Sequence, residues 1–153
     1  RMPGHNNYAS EPYDNWNRHN RGNSHNLPSD QHNLGNGRMV GRAHNRSLGL
    51  SDPTGHAEVM ALRDAGARIG NYRLPETTMY VTLEPCPMCA GALLHARVGN
   101  LVFGARDPEV GAAGSAMNLL ESPLANHRCQ VIAGILEADC SSRLKDFFQQ
   151  RRL

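Results

Sequence analysis

The chain has 153 residues, 39 % of them hydrophobic, and carries a formal net charge of +2, which suits one domain with a core of its own. So small a charge excludes bulk electrostatics as the mark of a nucleic-acid binder. No internal repeat, signal peptide or membrane-length apolar run is visible, so a soluble, cytoplasmic protein with no membrane partner is expected.

Residues 1–26 form a poorly patterned N-terminal segment, and residues 27–153 read as the folded domain. Ten of the first 45 residues are Asn, the first fifty hold no Ile or Phe, and their only Val is Val40. Neither a helical nor an alternating apolar stripe is visible there, and such composition normally reads as loop or disorder. Its five histidines, at positions 5, 19, 25, 32 and 44, are too irregularly spaced to argue for a metal. Gly35-Asn36-Gly37-Arg38 reads as a turn. Asp52, with Pro53-Thr54, signals a helix start. The run Ala57 to Ala65 then combines good helix formers with an apolar face of Val59, Leu62 and Ala65, which puts His56 and Glu58 in the first turn. Met79 to Leu83 reads as a strand that stops at Glu84-Pro85. Cys86 to Leu94 opens a second helix, with Pro87 suited to the first helical position. Leu101-Val102-Phe103 and Val131-Ile132-Ala133 are short strands, and an amphipathic helix runs from about Ala138 to Arg151. Helices alternating with strands imply a largely parallel α/β sheet.

Chemistry concentrates in His56-Ala57-Glu58 and Pro85-Cys86-Pro87-Met88-Cys89. A Cys-x-x-Cys pair alone could be a redox couple, half of a zinc knuckle or two buried thiols, and a lone His-x-Glu is weaker still. A redox pair would want a thioredoxin-like unit, and a structural zinc site a fourth Cys or His at short spacing. Cys129 and Cys140 stand too far off for that, and read as free buried thiols in a reducing compartment. Together the two segments supply His56, Cys86 and Cys89 as ligands to one Zn²⁺ and leave a fourth position for water. The helix start at Cys86 and Cys89 favours their thiolates. Two thiolates and a neutral imidazole cancel the charge of the ion, so its water is acidified less than at an all-histidine site. Glu58 is then the candidate general base, taking a proton from that water and passing it to the substrate; its ordinary alternative is a solvated helix-start carboxylate.

From Asp52 to the C-terminus the chain resembles the bacterial tRNA-specific adenosine deaminases, within the cytidine-deaminase-like zinc deaminases. The residues that carry this are Asp52-Pro53-Thr54-Gly55-His56-Ala57-Glu58, the run Tyr80 to Ala92, Val102-Phe103-Gly104-Ala105-Arg106-Asp107, Gly111-Ala112-Ala113-Gly114-Ser115, Asn126-His127-Arg128, Gly134-Ile135-Leu136 and Asp146 to Arg152. The resemblance implies a three-layer α/β/α sandwich with a mixed, largely parallel sheet, a homodimer and one zinc ion per chain. It implies hydrolysis of adenosine to inosine at the wobble position of a tRNA anticodon loop, with Glu58 as proton shuttle. Asn45 takes the place of the family asparagine that contacts the flipped nucleotide, against the common role of a loop asparagine in turns. Arg106, Asp107, Phe148, Arg151 and Arg152 are further candidate RNA contacts. That family opens with an Ala/Leu-rich helix and a buried apolar strand, which Trp16 to Leu34 do not reproduce. The segment is altered, naturally degenerate, or packed in another way.

Three functional readings follow. The first is the tRNA enzyme, for which unstacked anticodon bases suit a pocket that takes up a flipped nucleotide. The second is a zinc deaminase of a free base or nucleoside such as guanine, cytosine or cytidine, and the third an inactive zinc-stabilised RNA-binding scaffold. The last helix gathers Arg143, Lys145, Arg151 and Arg152 around Phe147 and Phe148. That cluster fits either phosphate contact or a solvated helix end whose cations favour the C-terminal dipole.

Overall fold

The computed structural model describes residues 39–151, with the side chains of residues 147, 148, 150 and 151 excepted. The elements, in chain order, are α1 (Ser47–Leu50), α2 (Ala57–Ile69), β1 (Thr78–Leu83), α3 (Pro87–His95), β2 (Asn100–Ala105), β3 (Gln130–Ile132) and α4 (Glu137–Arg151). The strands lie in the order β1-β2-β3 and pair in parallel, Tyr80 facing Val102 and Leu101 facing Val131. A parallel pair needs a crossover, and α3 supplies it between β1 and β2.

β2 lies between its neighbours and is buried at every position from Asn100 to Ala105, which is why its sequence from Leu101 onward is a continuous small and apolar run. Side-chain alternation assigns its two faces. Leu101 and Phe103 join Val81, Ala65, Ala90 and Leu93 in a core beneath α2 and α3. Val102 turns to the other face with Tyr80, packed by Ile132. Gly104 shares that face and meets Cys140 of α4 closely enough to exclude a side chain: an added Cβ would land on Cys140 Sγ and lie 2.8 Å from its Cβ. Helices therefore cover both faces, and the three expected layers are present.

The strands and helices around the core match the sequence reading to within four residues at their ends. The helix start differs in one respect. α2 begins at Ala57 with His56 as its N-cap residue, whereas Asp52 caps a turn of its own, accepting from the Thr54 amide at 2.8 Å and the Thr54 hydroxyl at 2.7 Å. Those two bonds hold the Asp52 carboxyl below its usual range. All described strand pairings are parallel, so any antiparallel part of the expected mixed sheet lies outside the described residues. The N-terminal segment 1–26 and its proposed boundary also lie outside them. No helix among the described residues is long and apolar enough to cross a membrane.

Candidate active site

The carboxyl ends of parallel strands are where open α/β sheets place their ligands. Here the segment after β1 carries Cys86 and that after β2 carries Arg106 and Asp107, while His56 arrives at the start of α2. The path into His56 is pinned: the Arg46 amide donates to the Gly55 carbonyl at 2.8 Å, and the Gly55 amide to the Asp52 carbonyl at 3.0 Å. A Cβ on Gly55 would sit 2.9 Å from the Ser47 nitrogen, so glycine is what lets the two backbones meet.

His56 and Cys86 are each the N-cap residue of a helix, and Pro87 fills the first position of α3, where no N–H partner is needed. The two helix starts bring three donor atoms together. His56 Nδ1 lies 3.6 Å from Cys86 Sγ and 3.5 Å from Cys89 Sγ. All three lie within 4.8 Å of one another, as the one such His/Cys/Asp/Glu cluster found among the described residues. An ion with Zn–S of about 2.3 Å and Zn–N of about 2.05 Å in tetrahedral geometry sets S···N at about 3.5 Å. The spacing and the chemistry of this donor set fit zinc.

The charges fit as well. The Cys86 thiol is pulled down to about 5 by a hydrogen bond from the Cys89 thiol, with the backbone amides of Cys89 and Met88 and the nearby His56 adding to it against burial. Cys89 is pushed upward, because it gives its hydrogen bond to Cys86, is buried, and faces the charges of Glu58 and Cys86. A divalent cation is what such a cluster needs to carry both thiolates.

Glu58 occupies the first turn of α2 and is only 7 % exposed. Burial raises its pKa first of all, and the adjacent Cys86 charge adds to this. This carboxyl therefore lies buried beside the donor cluster and is not a solvated helix-start carboxylate.

The remaining expected residues have other partners here. The Asn45 side chain accepts from the Ser47 amide at 3.0 Å, a turn role. Arg106 reaches Glu137 of α4 at 3.3 Å in an exposed ion pair. Asp107 Oδ1 accepts from the amides of Glu109 at 3.1 Å and Val110 at 3.2 Å. The side chains of Phe148 and Arg151, and residue Arg152, lie outside what the structure describes. Cys129 and Cys140 are buried free thiols, as expected, and burial pushes Cys129 up to about 12.

Sequence reasoning missed Glu84, the residue between β1 and Pro85-Cys86. It is 2 % exposed and accepts from the amides of Asp107 at 3.2 Å, Ala113 at 3.0 Å and Ser115 at 3.0 Å, and from the Ser115 hydroxyl. Burial alone would raise its pKa, but these bonds outweigh it and hold the carboxyl below its usual range. A charged residue ending a buried apolar strand was the one available signal.

The sequence profile of the MafB19-like deaminases matches residues 31–152. The chain is 50 % identical over 114 residues to a tRNA-specific adenosine deaminase of Haemophilus influenzae, covering 74 % of this chain and 66 % of that protein, so it spans about two thirds of that relative. A tRNA-specific adenosine deaminase of Bacillus subtilis is 44 % identical over 117 residues, covering 76 % of this chain and 73 % of its own. A solved structure from a study of A-to-I editing by tRNA A34 deaminases at the wobble position superposes with a TM-score of 0.67 at 40 % identity, over 69 % of this chain and 77 % of that one. With the α/β/α layers and the paired helix starts already in place, these matches establish that the chain belongs to the MafB19-like deaminase family, with tRNA-specific adenosine deaminases among its relatives.

Proposed function

We propose that this chain is a zinc-dependent tRNA adenosine deaminase that hydrolyses adenosine to inosine at the wobble position of an anticodon loop. The observation that carries the reading is the buried Glu58 beside the His56, Cys86 and Cys89 donors, in a chain 50 % identical to a tRNA-specific adenosine deaminase. His56, Cys86 and Cys89 would hold the ion. When bound, zinc would acidify and orient the attacking water. Glu58 accepts the proton that this water loses and delivers it to the neighbouring ring nitrogen as the oxygen adds to C6 of adenine. It then takes the proton of the hydroxyl added at C6 and passes it to the amine, which leaves as ammonia while the C6 carbonyl forms, so that water is consumed and inosine formed. Burial raises the proton affinity of the Glu58 carboxylate, which favours taking the proton from water.

A homodimer in the cytoplasm completes the reading. An open groove between α2 and α3, lined by Val59, Leu62, Ala92 and Ala96 beside the exposed Tyr72, supports pairing of two copies. Light scattering on a sizing column tests it, with a monomer at all concentrations as the contrary result. The substrate is tested by incubating zinc-loaded protein with an anticodon stem-loop bearing wobble adenosine, alongside free adenosine, cytidine and guanine. Inosine in the stem-loop alone is expected. Conversion of a free base instead would replace the RNA substrate while keeping the chemistry, and zinc binding with no turnover would leave a scaffold.

A further inference from the structure

We propose that Glu84 is a positioning residue, whose carboxylate fixes the 107–115 loop against the Pro85-Cys86 corner and so shapes the approach to the donor cluster. Its kinetic consequence rests on the deaminase reading; its structural one does not. A buried carboxylate is costly unless its oxygens are satisfied, and both oxygens of Glu84 are filled from that single loop. Oε1 takes the Asp107 amide at 3.2 Å and the Ser115 hydroxyl, and Oε2 takes the amides of Ala113 and Ser115 at 3.0 Å each.

The loop is fixed to the same corner by its backbone. The Ala112 amide donates to the Pro85 carbonyl at 2.8 Å, one residue from Cys86. The Gly111 amide donates to the Asp107 carbonyl at 2.8 Å, and the Gly111 carbonyl accepts from Ala116 at 3.0 Å and Met117 at 3.1 Å. Gly111 leaves the space this needs: a Cβ there would land on the Glu84 carboxyl and lie 2.5 Å from the Asp107 carbonyl oxygen. The small, amide-rich run Gly111-Ala112-Ala113-Gly114-Ser115 is thus the complement of one carboxylate. A glutamine cannot replace it, because an amide offers one acceptor oxygen and turns N–H donors toward N–H donors. The loop runs on from β2 at the sheet end where Cys86 follows β1, and its tip at Glu109 and Val110 is exposed.

The test uses the full zinc-loaded chain, with Glu84→Gln and, as a milder variant that loses only the hydroxyl bond, Ser115→Ala. Three quantities are measured: amide exchange across residues 106–116 against that of β2, zinc per chain, and kcat and KM on the wobble-adenosine stem-loop. For Glu84→Gln, exchange in 106–116 rises at least about tenfold with β2 unchanged and zinc content stays at the wild-type level. Its kcat/KM falls roughly tenfold to a hundredfold, chiefly through KM, since the loop carries neither a donor nor the proton shuttle. Ser115→Ala moves the same quantities the same way by less, and decides the matter if Glu84→Gln does not fold. Unchanged exchange in 106–116 overturns the proposal, as does a variant that loses zinc and kcat at constant KM, which would make Glu84 a support for the metal corner. If wild-type protein deaminates no stem-loop, the substrate reading falls, and the exchange measurement alone decides for or against Glu84.

Discussion

Gly104→Ala is expected to destabilise the fold through α4. The added Cβ would land on Cys140 Sγ and lie 2.8 Å from Cys140 Cβ and 3.0 Å from the Ile135 carbonyl oxygen. Carbon contacts relax at about 3.5–4.0 Å, so rotating the thiol away removes one clash and leaves two. One of those is to backbone, hence α4 and the turn before it must shift outward. Overpacking of this kind costs about 1–3 kcal/mol, and at about 4 °C per kcal/mol for a chain of this size Tm falls by about 4–12 °C. Thermal melts by circular dichroism measure it, with urea titrations to show that the slope m is kept while the midpoint drops. Adding Cys140→Ala to Gly104→Ala removes the worst clash, so the double variant should be more stable than the sum of the singles by about 1 kcal/mol. A Gly104→Ala protein with wild-type Tm, or strictly additive effects, refutes the packing of α4 on β2.

Four further outcomes follow from the site. Glu58→Gln should lower turnover by about 10²–10⁴-fold with zinc retained. The same variant should raise the Tm of metal-free protein at neutral pH. Burial raises the folded pKa of Glu58 above its usual 4.5, so the residue's contribution is fully present below that value and lost as pH rises through the folded pKa; a scan that shows no Tm difference at pH 7 contradicts this. Glu84 has the opposite sign: its folded pKa is depressed, so its stabilisation is present above 4.5 and lost as pH falls through the folded value. Acid titration of Glu84→Gln should therefore show a flatter loss of stability below that pH than wild type. Chelation should lower Tm and added zinc restore it, free zinc at a hundred times Kd adding about 2.7 kcal/mol of stability; indifference of Tm to zinc would rule out the donor set.

The parts legible in the sequence were those governed by local rules. Pro87 after Cys86 marked a helix start, and the three-residue spacing of Cys86 and Cys89 set both thiols there; β2 stood out because a central strand is apolar throughout. Glu84 was marked only by its charge at the end of a buried apolar strand, since its partners, three backbone amides and the Ser115 hydroxyl, lie 23 to 31 residues away. Gly104 was hidden for the same reason, its constraint being a cysteine on a distant helix. Asp52 was misplaced by its own chemistry: a carboxylate that caps helices also closes turns, and a neighbouring Thr54 hydroxyl chose the turn.

The most direct measurement is a time course of inosine formation by zinc-loaded wild type and Glu58→Gln, on stem-loops carrying adenosine at the wobble position or at the next loop position. The account predicts inosine at the wobble adenosine only, formed by wild type and all but absent with Glu58→Gln at equal zinc content. Comparable inosine from Glu58→Gln, or none from wild type on either RNA, would contradict it.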